Sequence, residues 1–434
     1  MRQTITHPGA GELVYEIREI VEVANKIESL GQPITWENIG DPVAKGEKIP
    51  AWIKEHVAEA LKEDKTYAYS PTMGLKATRE YITKERNLEG GIQITANDIL
   101  FFNGLGDAIS KIYRSLNPEA RVIGPNPAYP THSSAEAAHG RSKHITYPLD
   151  PENNWQPDLE KMEEAITSNE GIVGILIVNP DNPTGIVYGD DVMKGIVALA
   201  KKYNLFIISD EIYSNLVFDG VEYKKLAQYI GDVPAIAMRG VSKEFPWPGG
   251  RCGWIEFYNR DKDEDFNRYC KSLVDGKMLE VCSTTLPQQL IPVVMQDEKY
   301  FPYLKERTNH YSQLADVAYE ILSEVPELVV QKPQAAFYMT IMFKEGTLTK
   351  TQNLKIENKE VATLIESLVS EEMTADKRFV YYLLGATGIC VVPLSSGFNS
   401  TYTGIRITVL DPNIENFKNT LQTLKAALQD YLNS

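Results

Sequence analysis

Between about residue 95 and residue 300 the chain alternates short apolar runs with segments of helical spacing, and this alternation leaves few folds open. The runs are "DILFF" (98–102), "RVIGP" (121–125), "GIVGILIVN" (171–179), "NLFIISD" (204–210), "PAIAMRG" (234–240) and "CGWIEF" (252–257). Each has the length of a buried strand, and "DLEKMEEAI" and "DVMKGIVALAKKY" between them carry the 3.6-residue period of amphipathic helices. The pattern predicts an α/β fold in which helices cover both faces of a mostly parallel sheet. After residue 300 the texture changes. A helical stretch near 303–324 precedes "AAFYMTIMF", "GICVVPL", "GIRITVL" and a final amphipathic helix from 413, which reads as a smaller α+β domain. The polar segment 344–360 reads as a surface loop or insert. The expected division is an N-terminal segment over 1–50, a large domain over 51–305 and a small C-terminal domain over 306–434.

Charge and composition narrow the function classes. With 44 basic and 59 acidic residues the net charge is −15, which argues against a nucleic-acid backbone or an anionic membrane as partner. The longest apolar run, 171–178, is far short of the eighteen or so residues that a membrane span needs, and the N-terminus lacks a basic-then-apolar signal pattern; the expectation is a cytoplasmic enzyme. Cys252, Cys270, Cys282 and Cys390 form no C-x-x-C pair and read as buried small hydrophobes in a reducing compartment. His132, His139 and His144 lack a Cys or carboxylate at ligand spacing, so they read as solvated or core histidines and no metal is expected.

In open α/β sheets chemistry gathers at the C-terminal ends of the strands, and four of those ends are unusual here. After the first run comes "NGLGDAISKIYRSL", where Gly104 and Gly106 open a helix whose first amides can hold an anion. After the third comes "NPDNPTG" (179–185), a turn too constrained for a generic connection. After the fourth comes "DEIYSNLVFDG", with Asp210 at the strand end and Tyr213 three residues on. After the fifth comes "GVSKEFPWPGGRCGW", in which Lys243 precedes Arg251 by eight residues across a Pro/Gly-rich loop.

Asn182, Asp210, Tyr213, Lys243 and Arg251, in this order at successive strand ends, resemble the fold-type I pyridoxal phosphate (PLP) enzymes, specifically the class I/II, aspartate aminotransferase-like aminotransferases. The resemblance covers nearly the whole chain and implies a seven-stranded sheet in the large domain. It implies that Lys243 holds the PLP aldehyde as a Schiff base and moves protons once substrate displaces it, while Arg251 grips the phosphate with a planar, permanently charged fork. Asp210 matches the aspartate that keeps the pyridine nitrogen protonated. Asn182 and Tyr213 match the pair that binds the phenolic oxygen, with Asn182 also facing substrate. Tyr129 in "NPAYP" falls where the family stacks an aromatic on the ring. Leu105 and Gly106 offer phosphate-binding amides, with Ser242 nearby. Arg406 in "GIRIT" matches the arginine that takes the substrate α-carboxylate, and Gly40 in "NIGDP" matches the glycine beside it. Tyr69 in "YSPTMG" resembles the tyrosine that reaches the phosphate of a neighbouring subunit, which implies a homodimer with shared active sites.

Two positions depart from the family pattern. Gly240 stands where a phosphate-binding serine is frequent, and Ala336 stands where "GAFY" has glycine. No second arginine marks a dicarboxylate substrate, so aspartate specificity is not supported. The reading is a PLP-dependent aminotransferase that moves an amino group between an amino acid and a 2-oxo acid in two half-reactions. The alternatives are a PLP-dependent C–S β-lyase, which uses the same Cα carbanion, and a non-catalytic aminotransferase-like regulator.

Overall fold

All six apolar runs form strands. In the computed structural model, which describes residues 5–13 and 16–434, the strands are β1 (Thr35–Trp36), β2 (Ile99–Phe102), β3 (Arg121–Asn126), β4 (Thr146–Asp150), β5 (Gln156–Pro157), β6 (Ile172–Val178), β7 (Phe206–Asp210), β8 (Ala235–Gly240), β9 (Gly253–Tyr258), β10 (Leu328–Val330), β11 (Tyr338–Phe343), β12 (Ile389–Cys390), β13 (Val392–Pro393) and β14 (Gly404–Thr408). Residues 1–4 and 14–15 of the expected N-terminal segment lie outside that description. The large sheet has the order β2-β9-β8-β7-β6-β3-β4-β5. The pairs β8/β7, β7/β6, β6/β3 and β3/β4 are parallel, while β9 runs antiparallel to both β8 and β2. The two-residue β5 adds an eighth, antiparallel edge strand to the expected seven. No apolar run announces β4: "TYPLD" alternates, burying Tyr147 and Leu149 on one face only.

Helices cover both faces, and every residue of β2 and β9 is buried. The segments read as helical form Leu159–Thr167, Asp190–Lys202, Tyr300–Leu322 and Ile414–Leu432. Among the described residues no helix is long and apolar enough to cross a membrane.

Parallel register brings the strand ends into one line. Val178 pairs with Asp210, Asp210 with Met238, and Gly240 with Gly253 across β6 to β9. The segments that follow therefore leave the sheet along a common edge. A second sheet, ordered β10-β11-β14-β13 and antiparallel throughout, stands against that edge. Thr340 Oγ1 of β11 donates to the Pro183 carbonyl at 2.9 Å, and the amides of Gln334 and Ala336 donate to Gly185 and Leu216 at 2.8 Å each. The "NPDNPTG" turn is thus held by the Thr340 hydroxyl of the small sheet and by the Gln334 amide just before β11. β1 pairs in parallel with β12, and just beyond it the Thr408 amide of β14 donates to the Glu37 carbonyl at 2.9 Å.

A buried ion network fixes the other side of the large sheet. Arg86, on the helix Lys76–Leu88, donates to Glu256 of β9 from Nε (2.7 Å) and Nη2 (3.2 Å), and its Nη2 lies 3.6 Å from Glu211, the residue after Asp210. Trp254 Nε1 (3.0 Å) and Tyr258 OH (2.6 Å) complete the shell around Glu256. Burial alone would push the Glu256 carboxyl up, but Arg86 and Arg239 override it and hold it at about 2. A depressed carboxylate stabilises the fold fully above its ordinary value of 4.5, and that contribution is lost as pH falls through about 2. Arg86→Met strips a buried partner, so at pH 7 urea unfolding is expected to show a loss of about 3–5 kcal/mol. The loss should be smaller at pH 3.

Candidate active site

Lys243 lies on the short helical turn Val241–Glu244, which starts where β8 ends. Its Nζ donates to the Gly40 carbonyl at 2.7 Å and lies 5.6 Å from the centre of the Phe337 ring. Among the described residues no carboxylate pairs with it, so the amine is not committed to an ion pair. Ser242 precedes it on the same turn, half-buried. Gly240 stands one residue before the turn, and the geometry explains the missing serine: a Cβ there would lie 2.8 Å from the Cys252 carbonyl oxygen on neighbouring β9.

Arg251 closes the loop that Lys243 opens. Its Nη1 donates to the Pro248 carbonyl (3.1 Å) and its Nη2 to the Asn103 carbonyl (3.3 Å), and the guanidinium is exposed without a carboxylate partner among the described residues. It sits against the start of the helix Leu105–Arg114, so close that a Cβ on Gly104 would be 2.4 Å from Nη2. Gly104 has φ +82°, a conformation that favours glycine. The amides of Leu105 and Gly106 begin this helix and have no acceptor within it. A permanent cation and free helix-start amides make an anion-binding corner. Trp247 packs on Gly250 inside the loop.

Asp210 is buried at the end of β7, and one oxygen accepts the Ile212 amide at 3.1 Å. The other lies 3.2 Å from His132 Nε2, whose Nδ1 lies 3.2 Å from Tyr113 OH. His132 is a fully buried core histidine, one of the two readings its sequence left open, and it also backs the candidate aspartate. Its signal was available in "NPAYPTH": three residues after Tyr129 on a helix, it must share that residue's side. Tyr129 stands edge-on to it at 6.3 Å. His139 and His144 serve backbone carbonyls, those of Asn117 and Ala120 and that of Val122.

In the "NPDNPTG" turn, Asn182 is buried with its side-chain oxygen unpartnered among the described residues. Asp181 beside it is fully buried and accepts the Thr184 amide (3.0 Å) and hydroxyl (2.5 Å) on one oxygen, leaving the other without a partner. Burial pushes its carboxyl up to about 7 against those hydrogen bonds. Tyr213 OH donates to Tyr338 OH at 3.1 Å; burial, reinforced by Tyr338, holds the Tyr213 hydroxyl well above its ordinary range, so it is a neutral donor.

Arg406, on β14, donates to the Asn38 carbonyl, and its guanidinium lies 4.6 Å from the centre of the Tyr338 ring and 5.3 Å from that of Phe398. Gly40 accommodates Tyr338, whose hydroxyl oxygen would be 2.0 Å from a Cβ at position 40. The structure thus brings Lys243, Gly40, Arg406 and Tyr213 together through Tyr338 and the backbone of residues 38–40. Arg251, Leu105 and Gly106 form the adjacent corner. Tyr69 is not drawn into either group: it is 83% exposed, and its hydroxyl has no partner among the described residues. Ala336 holds φ +58°, which explains why glycine is usual there. An open groove of about 1150 Å³ lies at the opposite edge of the large sheet, by Gly171, Phe206 and Pro234, and none of the candidate residues lines it.

The family profile described as aminotransferase class I and II matches residues 37–428. The chain is 51% identical over 432 residues to an uncharacterized aminotransferase of Methanocaldococcus jannaschii, with all of both chains covered. It is 28% identical to the glutamate-pyruvate aminotransferase AlaA of Escherichia coli over 75% of this chain and 79% of that one. Its fold superposes on the alanine aminotransferase from Pyrococcus furiosus with a TM-score of 0.85, at 26% identity and covering 99% of this chain and 100% of that one.

Asp181 generates a test of the turn's electrostatics. A carboxyl raised from 3.8 to about 7 costs the folded state progressively more as pH climbs between those values, and the cost is complete above them. Asp181→Asn keeps an acceptor for Thr184 and removes the charge. Urea unfolding should find the variant more stable than wild type at pH 8, with the gap closing by pH 4.

Proposed function

The chain belongs to the class I and II aminotransferase family and is a transaminase, and from that premise we propose that it uses pyridoxal 5′-phosphate to exchange an amino group between an amino acid and a 2-oxo acid. The observation that carries the reading is the pair of uncommitted cations at successive strand ends. Among the described residues Lys243 hydrogen-bonds a carbonyl near the carboxylate-binding candidate Arg406 and pairs with no carboxylate, and Arg251 at the start of a helix likewise has no carboxylate partner. The buried Asn182 amide, whose oxygen has no partner among the described residues, and the Tyr213 hydroxyl supply polar groups for a bound ring.

When bound, PLP supplies an aldehyde carbon and a protonated ring that withdraws electrons from the substrate's Cα. In this reading Arg251, with the Leu105 and Gly106 amides and Ser242, holds the phosphate. Asp210 holds the ring nitrogen's proton, and His132 and Tyr113 fix the carboxylate from behind. Tyr129 covers the ring. Tyr213 and the Asn182 side-chain N–H would meet the phenolic oxygen, both as donors. Lys243 Nζ would hold the aldehyde and would be the group placed to take the substrate's Cα proton; without the cofactor it donates to the Gly40 carbonyl. Arg406 would take the substrate carboxylate, and Gly40, by having no side chain, leaves room for the Tyr338 hydroxyl beside it.

Relatives include an alanine aminotransferase and a glutamate-pyruvate aminotransferase, and the alanine aminotransferase from Pyrococcus furiosus shares the fold, so we take alanine as the first donor to try. We further propose a cytoplasmic homodimer with Tyr69 reaching the partner's phosphate site. Support comes from the exposed Tyr67, Tyr69 and Leu279, at 72%, 83% and 89%. The 66–70 segment bonds Ser283, Thr285 and Gln289, and Thr284 bonds Asn103 beside Arg251. The same reading divides the chain at about residues 50 and 305.

One experiment tests the activity. PLP-loaded protein mixed with L-alanine and no oxo acid should release one pyruvate per site and stop, then resume when 2-oxoglutarate is added. Sustained pyruvate from cystathionine without an oxo acid would point to the β-lyase instead. In the same assay Arg251→Ala should raise the PLP concentration needed for half-saturation about a hundredfold, whereas Arg406→Ala should leave it unchanged and weaken alanine binding. Reversed effects would mean that the two roles are exchanged.

A further inference from the structure

Tyr338 touches three candidate groups at once. Its hydroxyl accepts from Tyr213 OH at 3.1 Å, fills the space a side chain on Gly40 would need, and tops a ring that lies 4.6 Å beneath the Arg406 guanidinium. The two tyrosine rings meet edge-on at 5.7 Å and 88°. Both residues are buried, so neither hydroxyl has water to fall back on.

Each hydroxyl carries one proton and can accept as well. Here the Tyr213 proton points to Tyr338. A charged phenolic oxygen is a stronger acceptor than a neutral hydroxyl, so Tyr213 turns its proton to the cofactor once that oxygen is present. Its own oxygen then faces Tyr338, whose proton is free to turn toward it. The result is a two-hydroxyl chain in which each bond strengthens the next.

We propose that Tyr338 is a positioning residue for transamination: its hydroxyl donates to Tyr213 while Tyr213 donates to the cofactor, and its ring seats the Arg406 guanidinium that takes the substrate carboxylate. The inference rests on the proposed use of PLP. The titratable and charged groups around the pair are Asp210 and Tyr129 beside Tyr213, Arg406 over Tyr338, and Lys243 on the Gly40 carbonyl.

The test is a pH titration of the visible absorbance of PLP-loaded protein, for wild type, Tyr338→Phe, Tyr213→Phe and the double variant. Losing the supporting bond should move the midpoint of Tyr338→Phe upward by about half a pH unit, and losing the direct donor should move that of Tyr213→Phe further. The double variant should match Tyr213→Phe alone, because Tyr338 acts only through Tyr213. Calorimetry with propanoate, an unreactive carboxylate, should give unchanged affinity in Tyr338→Phe, which keeps the ring, and about tenfold weaker binding in Tyr338→Leu, which does not. An unmoved midpoint in Tyr338→Phe, or a shift that adds in full to that of Tyr213→Phe, would overturn the proposal while the proposed function stood. A wild-type protein that takes up no PLP would overturn both.

Discussion

Four residues, 37 to 40, set the spacing of the site. Their carbonyls reach three different places: Glu37 accepts the Thr408 amide, Asn38 accepts Arg406, and Gly40 accepts Lys243. The first anchors the segment to β14, the second turns the candidate carboxylate-binding cation, and the third fixes the amine that rises from the large sheet. The segment is itself pinned, because the buried Glu37 carboxylate takes both Lys45 at 2.9 Å and the Thr408 hydroxyl at 3.0 Å. Slippage here would move a cation from each sheet together. A reaction that must hold a carboxylate and move a proton from the adjacent carbon depends on that distance.

Around this segment the protein places its polar groups where burial makes them costly unless paired. Asp210 has His132 and a backbone amide; Glu256 has Arg86, Trp254 and Tyr258. Exceptions among the described residues are spread over the fold, at Thr83, Tyr188 and Tyr431 for example, and some lie at the site. The Asn182 oxygen lacks a partner, Asp181 has one idle oxygen, and both atoms of the Asn38 amide are buried without one among the described residues. Groups left unsatisfied beside uncommitted cations are expected where a ligand completes the shell.

Much of this was legible in the sequence. Period and run length suffice for the six strands, since a strand buried on both faces must be continuously apolar, and the parallel order then dictates that Asn182, Asp210 and Lys243 share an edge. β4 was not legible, because one-sided alternation over five residues resembles a loop. Nor was the role of Tyr338, which acts through a contact made across the fold, to Tyr213 at a separation of 125; for His132 the sequence offers the side it shares with Tyr129 but not the contact to a strand end 78 residues away. Gly240 looked like a missing phosphate ligand, and only the register of β8 against β9 shows that a side chain has no room there.

The central claim is that Lys243 is the amine that carries the cofactor, and covalent mapping addresses it directly. PLP-loaded protein is treated with borohydride, digested and mapped by mass spectrometry. The account predicts stoichiometric pyridoxyl label on the peptide that contains Lys243, and on no other lysine. Label spread over surface lysines, or concentrated at a different one, would contradict it.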